Sequence, residues 1–410
     1  RKLVTFRGHR LPGLGLNIAR YNLGASAWRS VGGQAMEVSS NIPPFKQIAG
    51  FWLDWMSEDP ASGSWDWHVD PNRSAMLQMA KQRGVDHFEL FSNAPIWWML
   101  KNHNPSGSLF GGDNLQEWNL RKFAKYMAIT AEHFRKHRGI SFTSVEPFNE
   151  PASDYWNAFG TQEGCHFDRQ LQAQVVELLA EELELRGLST RVSASDEWKY
   201  DMATETWRSF SNSTRRKVGK VNTHGYQYGA GRRDLLREAV GEKVLWNSEY
   251  GDGSSSGMEM ATNLNLDLRW LRPAAWCYWQ AVDESGGWGF FQANLRSAQP
   301  QISRINMKFF VMAHYSRHIR PGMTMIDGGE ANTAAAYDAA ARRLVLVTTN
   351  YGNAQWVTYN LSKFSAVAGP VTRWCTTMTG DLSQAYKKHS DLRPALSLPV
   401  FFAPNTIQTI

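Results

Sequence analysis

Two glutamates, Glu146 and Glu150, stand four apart in V-E-P-F-N-E-P (145–151), at the end of an apolar run. A third, Glu249, closes the run V-L-W-N-S-E (244–249). Pro147 and Pro151 deny the first segment a helix, because proline has no amide donor and its ring restricts the residue before it. Acids at the ends of buried strands call for a chemical reason. Two carboxylates facing each other over a pocket can cleave a glycosidic bond: one protonates the leaving oxygen, the other attacks the sugar or activates water. A single acid is more often a surface charge or half of a salt bridge. Glu150 and Glu249 together, both strand-terminal and both preceded by a polar residue, favour the paired chemistry.

The elements that would position them form a regular series. Seven β-like runs occur at 15–22, 85–93, 140–148, 190–196, 217–224, 243–250 and 274–280. Helical periodicity lies between them. Phe123, Tyr126, Met127, Thr130 and Phe134 share one face of 121–138, and Leu171, Val175, Leu178, Leu179 and Leu183 share one face of 168–186. Gly187 would stop the second helix, and Asp70 with Pro71 would start a third over 70–83. Strand and helix alternating this often predict an α/β fold with a parallel sheet, a (β/α)8 barrel rather than a doubly wound sheet. No G-x-G-x-x-G follows an early strand, which argues against a dinucleotide site. A barrel of this kind works at the C-terminal ends of its strands. Glu150 and Glu249 end strands three βα units apart, roughly opposite each other across the mouth. After residue 318 the pattern changes. R-L-V-L-V-T-T-N (343–350) and Q-W-V-T-Y-N-L (355–361) alternate with period two around N-Y-G-N, a hairpin signal, and 396–410 is strand-like. The expected division is a barrel over 1–318 and an antiparallel β-sandwich over 319–410.

Composition narrows the partners. Of 410 residues, 42% are hydrophobic and 20% charged, which suits a globular protein with a large core. No run reaches the length of a membrane span, and R-K-L-V-T-F-R-G-H-R lacks the apolar stretch of a signal peptide. The net charge of +6 is carried in short clusters without a nucleic-acid-binding signature, so no nucleic-acid partner is expected. Cys165, Cys277 and Cys375 have no metal-like spacing, and sequons at Asn72, Asn212 and Asn360 fit a secreted protein. His133 and His137, four apart among Arg135, Lys136 and Arg138, read as a solvated basic helix end rather than a metal pair. The 18 tryptophans are telling. Some must pack the core, but flat aromatic faces also suit the C–H faces of sugar rings.

N-E-P (149–151) resembles the acid/base motif that ends the fourth strand in the clan of retaining (β/α)8 glycosidases. W-N-S-E-Y-G-D (246–252) resembles the nucleophile motif that ends the seventh. S-N-A-P-I-W-W-M (92–99), N-T-H-G-Y (222–226) and R-H-I-R-P-G (317–322) narrow the likeness to glycoside hydrolase family 30. G-F-W-L-D-W (50–55), N-H-N-P-S-G (102–107) and T-Q-E-G-C-H-F-D (161–168) resemble its fungal endo-β-1,6-galactanase branch. The resemblance implies Glu150 as acid/base and Glu249 as nucleophile, with their carboxyl groups about 5–5.5 Å apart as in retaining enzymes. It implies Asn149 on the sugar 2-hydroxyl, and His224 and Tyr226 orienting the nucleophile or lining the central subsite. Trp279 and Trp98 would be sugar platforms, with Asn22, Asn93, Asp54 and Glu197 near sugar hydroxyls. Arg20 would support the nucleophile. On this reading Glu150 has the raised pKa and Glu249 is kept ionised by Arg20 or Tyr226. Glu146 would sit one layer deeper or pair with a basic group such as Arg20. No cofactor or metal is implied. The partner is a polysaccharide or oligosaccharide, and the expected form is a monomer acting extracellularly. Other family-30 specificities remain as alternatives: β-1,6-glucan, xylan or a glucosyl lipid. So does a carbohydrate-binding relative without activity. One departure stands out: no Gly/Ser/Trp-rich first barrel strand precedes L-G-L-N (14–17), so the first βα unit is expected to be missing or irregular.

Overall fold

In the β-rich runs, successive residues are buried on both faces of the chain, so these runs demand cover on both sides, as in a helix-wrapped parallel sheet. The computed structural model, which describes residues 4–6, 8–284 and 286–410, has this arrangement. Seven strands form one sheet in sequence order: β1 Ile18–Leu23, β2 His87–Ser92, β3 Ser144–Glu146, β4 Arg191–Glu197, β5 Val218–His224, β6 Val244–Tyr250 and β7 Ala275–Tyr278. Pairing from β1 to β6 is parallel throughout. The sheet is a nearly closed barrel, and among the described residues β1 and β7 are not paired with each other.

Helices cover it for legible reasons. Leu120–Arg138 buries Phe123, Tyr126, Met127, Thr130 and Phe134, and ends at Gly139 in the left-handed conformation (φ 60°). Arg169–Leu185 starts at Asp168, whose carboxylate accepts the Leu171 amide at 2.7 Å. The helix Pro71–Gln82 departs from expectation. Asp70 makes no cap bond; its carboxylate takes the Tyr21 hydroxyl and Arg73 Nε instead. Pro71 removes one of the orphan amides a cap would serve, which frees Asp70 for these partners.

Two compact units are present. One comprises Asn17–Glu249 with Pro273–Cys277; the other comprises Arg1–Leu16, Tyr250–Arg272 and Tyr278–Ile410. The second contains a six-stranded antiparallel sheet and a two-stranded one, Gln355–Asn360 with Ser397–Phe402. Ala335, Leu346, Tyr359, Leu398, Val400 and Phe402 form its core. The hairpin expected around N-Y-G-N does not form. Arg343–Asn350 pairs with Thr333–Asp338 and Thr406–Thr409 in the larger sheet, while Gln355–Asn360 joins the smaller one. Asn350 turns the chain from sheet to sheet. Its Nδ2 donates to the Asn353 and Ala403 carbonyls, and its Oδ1 accepts from the Gly352 amide and Gln355 Nε2. Among the described residues, no helix is long and apolar enough to cross a membrane.

Candidate active site

The interior of the first unit's barrel is charged. Glu89 on β2 is fully buried and accepts from Arg20 Nε (2.8 Å), Ser144 Oγ (2.6 Å), Ser193 Oγ (2.9 Å), Asn222 Nδ2 (3.1 Å) and Lys220 Nζ. Burial alone would raise its pKa, but Lys220 and Arg20 outweigh that and hold it below the usual carboxylate range. Glu146 on β3 lies beside this cluster, where Asn222 Nδ2 donates to its Oε2 at 3.0 Å. Burial, together with the charges of Asp196 and Glu89, pushes Glu146 well above the ordinary range. It therefore holds its proton more tightly than an ordinary carboxylic acid. It does sit in the interior as expected, but it makes no ion pair with Arg20. Lys220→Met is expected to strip Glu89 of one of its two cations. Removing one partner of a buried pair costs about 3–5 kcal/mol, which a denaturant melt reads directly.

Above this cluster β3 stops. Pro147 ends the pairing, and the chain runs through Phe148 and Asn149 to Glu150, held at φ +52°. The Glu150 amide donates to the carbonyl of Asp196, itself at φ +50°. Left-handed conformations cost a side-chain-bearing residue energy, and such positions cluster where geometry serves function. The register shift between Ser195 and Glu197 in the β4–β5 pairing turns Asp196 inward. There it accepts from Ser248 Oγ and pairs with Arg20.

Glu150 and Glu249 meet over His224. The Oε1 of Glu150 lies 3.1 Å from His224 Nδ1, and its Oε2 accepts the Tyr155 hydroxyl. The Oε1 of Glu249 accepts the Tyr226 hydroxyl at 2.8 Å and lies 3.8 Å from the same Nδ1. Its Oε2 faces Arg20 Nη1 at 3.6 Å. Oxygens of the two carboxylates come within 4.8 Å of one another. Burial would lower the pKa of His224, but Glu249 and Asp196 outweigh it and hold the ring well above the ordinary histidine range. Burial raises the pKa of Glu249, with His224, Arg20 and Tyr226 pulling the other way and the Glu150 charge adding to the rise. Burial thus works against the ionised state expected of Glu249, which Arg20 and Tyr226 support. A pocket with two close carboxylates, a histidine between them, Arg20 beside Glu249 and a phenol on each acid can host acid and nucleophile chemistry at one carbon.

Residues 7–217 match the O-glycosyl hydrolase family 30 profile. An endo-beta-1,6-galactanase of Hypocrea rufa is 50% identical over 399 residues, covering 96% of this chain and 82% of that protein. The chain belongs to O-glycosyl hydrolase family 30. Its fold is shared with solved structures at low identity. A conserved exported protein from Bacteroides fragilis superposes with a TM-score of 0.74 at 18% identity, covering 97% of this chain and 88% of that one. The catalytic domain of the family 30 xylanase C from Talaromyces cellulolyticus does so with 0.71 at 17%, with the same coverage.

Within this family 30 chain, a glycoside hydrolase, the other expected site residues part ways. Asn22, near the end of β1, and Asn93, just after β2, each carry a buried Oδ1 without a protein partner, an acceptor that a ligand hydroxyl or water would satisfy. Asn149 is buried next to Glu150. Trp279 is half-buried in the second unit, its amide on the Tyr250 carbonyl. Trp98 is not a platform. It is 3% exposed, its N–H donates to the Trp52 carbonyl, and Trp52 and Trp55 pack against its ring. Asp54 is also spent internally, with Oδ1 on the Met56 amide and Oδ2 on Arg29. Glu197 points to its own helix layer, accepting from Thr206 Oγ1 and Gln172 Nε2. Sequence reasoning passed over Asp196, Glu89, Lys220 and Tyr155. An acid or lysine inside a doubly buried strand was the available signal for Glu89 and Lys220. Tyr155 lies outside any strand and gave none.

Glu150, His224 and Glu249 are, among the described residues, the group whose donor atoms could surround a metal ion. The fit is poor on chemical grounds. Metal ligation needs a neutral imidazole, and the neighbouring carboxylates favour the protonated ring of His224. His133 also differs from a solvated helix end: its ring stacks on Trp67 at 3.6 Å, and burial pushes its pKa down to about 4. The three cysteines are free.

Proposed function

We propose that this family 30 chain is a retaining endo-β-1,6-galactanase in which Glu249 is the nucleophile and Glu150 the acid/base. The single observation that carries the roles is the approach of the two carboxylates to within 4.8 Å. Oxygens this close accord with the roughly 5–5.5 Å carboxyl separation of retaining sites rather than the roughly 6.5–9.5 Å of inverting ones. The substrate class rests on the 50% identity to the Hypocrea rufa galactanase. Glu249 attacks the anomeric carbon as Glu150 gives its proton to the departing O6 of the next galactose. A covalent glycosyl-enzyme forms and the glycosidic C–O bond breaks. Forming the ester removes the negative charge of Glu249, so Glu150, now ionised, takes a proton from water that attacks the same carbon. Glu249 leaves as carboxylate, and the product keeps the β configuration. His224, 3.1 and 3.8 Å from the two acids, balances whichever one is charged. Action outside the cell is supported by the sequon asparagines Asn72, Asn212 and Asn360, all of which are exposed.

The test is an assay of the purified protein on β-1,6-galactan, β-1,6-glucan and glucuronoxylan, with the anomer of the first product followed by proton NMR. Internal cleavage of the galactan giving β product is the expected result. Cleavage of glucan or xylan in its place removes the substrate assignment, and α product removes the roles of the two glutamates.

A further inference from the structure

We propose that Tyr155 is a positioning residue that governs the proton of Glu150, donating to its Oε2 in the free enzyme and turning to the bound sugar when substrate arrives. This rests on the reading of Glu150 as acid/base. The observation is the unequal surroundings of the two Glu150 oxygens. Oε1 faces His224, which is fully buried. Oε2 takes its hydrogen bond from Tyr155, which is 42% exposed. A sugar lying against the exposed face of Tyr155 would be on the Oε2 side of Glu150. An oxygen that accepts a hydrogen bond from a phenol is set up as a base. To act as an acid it must carry the proton itself, and then the phenol hydrogen needs another acceptor. A phenol hydroxyl can rotate and is both donor and acceptor. A sugar hydroxyl at the mouth is such an acceptor. With the phenol hydrogen redirected, Oε2 is left to hold a proton and deliver it to the leaving oxygen.

The cycle balances. In the first step the proton that Glu150 took from water in the preceding turnover passes to the leaving oxygen. In the glycosyl-enzyme, after the leaving sugar departs, Tyr155 donates again to the ionised carboxylate, which is the base for water. No net proton stays on the phenol.

Charged and titratable groups around this pair come from several elements. His224 and Tyr226 lie on and after β5, Glu249 on β6 and Asp196 on β4, with Lys199 beyond Trp198. Among them, Tyr155 is the one that joins contact with Glu150 to marked solvent exposure. Its own pKa is raised far above the ordinary tyrosine value, first by burial and then by Glu150, so it remains a donor across the working range. The ring is held from one side by Trp156, with centroids 4.8 Å apart, and from another by Trp198 at 6.3 Å. Rotation of the hydroxyl therefore needs no movement of the ring.

Tyr155→Phe keeps the ring and removes the hydroxyl. Losing a donor to its charged form makes a carboxyl hold its proton to higher pH. The alkaline limb of kcat/KM on β-1,6-galactan reports the acid, so it should move up by about one pH unit or more. The same variant should lose about tenfold in deglycosylation of an activated aryl β-galactoside, where base catalysis limits turnover. Glycosylation by that substrate, which needs little acid help, should stay near the wild-type rate. An alkaline limb that stays in place overturns the proposal, as does a uniform loss at every pH or a rise in KM alone. A thermal midpoint near the wild type separates these outcomes from misfolding. Should the midpoint fall, fluorinated tyrosine placed at 155 supplies the same test with the phenol retained: the limb must move downward as the phenol becomes a stronger donor. Glu150→Ala in the same assays keeps the two readings apart. If that variant retains full galactan turnover, the acid/base assignment fails. If it behaves as an acid/base variant while Tyr155→Phe leaves the limb unmoved, only the role of Tyr155 fails.

Discussion

Glu249→Gln should abolish hydrolysis of β-1,6-galactan while leaving the fold intact. Glutamine keeps the shape of the side chain and can still accept from Tyr226, whose hydroxyl lies 2.8 Å from Oε1. It has no negative charge to form the glycosyl ester. In the proposed mechanism Glu150 has the acid's part, and Glu146 lies in the barrel interior, where Asn222 donates to it. A loss on the order of 10⁴-fold or more is expected, the scale for removing a nucleophile. The substitution also relieves the burial strain that raises the pKa of Glu249, so the melting temperature should hold or increase. Steady-state kinetics with a thermal melt on the same sample checks both. Turnover within tenfold of wild type would remove Glu249 from the reaction.

Glu150→Ala should separate the two halves of the cycle. Galactan turnover should fall by about 10²–10⁴-fold, the usual contribution of general acid–base catalysis. An aryl galactoside with a good leaving group needs no proton, so its first step should continue and the glycosyl-enzyme should accumulate. Azide fits the space left by the carboxylate, needs no base, and should restore turnover by forming a β-galactosyl azide. The Tyr155 hydroxyl and His224 Nδ1, which both contact Glu150, then line the vacated space and offer donors to the anion. A rapid burst of aryl alcohol followed by a slow, azide-sensitive phase is the expected trace. No burst, with azide without effect, would reassign Glu150.

How much of this was readable beforehand depends on which forces act locally. The seven barrel strands and the three named helices are set by apolar runs and helical spacing, and they occur within a few residues of where the pattern puts them. The acid pair was legible because each glutamate ends such a run, and a barrel gathers its strand ends at one mouth. The side unit was less so. N-Y-G-N has the composition of a hairpin turn, but the Asn350 side chain bonds to the turn and to Ala403, which sends the next strand to a different sheet. No local signal records that choice.

By itself, then, the sequence determined the family, the order of strands and helices, and the identity of the two facing glutamates, because motif chemistry and periodicity act within a few residues. The tertiary structure decided which neighbours serve them. Asp196 and Glu197 are adjacent acids, and only the register shift in β4 turns Asp196 to Arg20 and sends Glu197 to Thr206 and Gln172. Trp97 and Trp98 both lie in an aromatic run, and packing against Trp52 and Trp55 withdraws Trp98 from sugars. Glu89, Lys220 and Arg20 are far apart in sequence, and only the closing sheet brings their charges together. Strands buried on both faces carry no alternation to show which way a charge points. Its direction is fixed by partners on other strands, and those exist only once the barrel has formed.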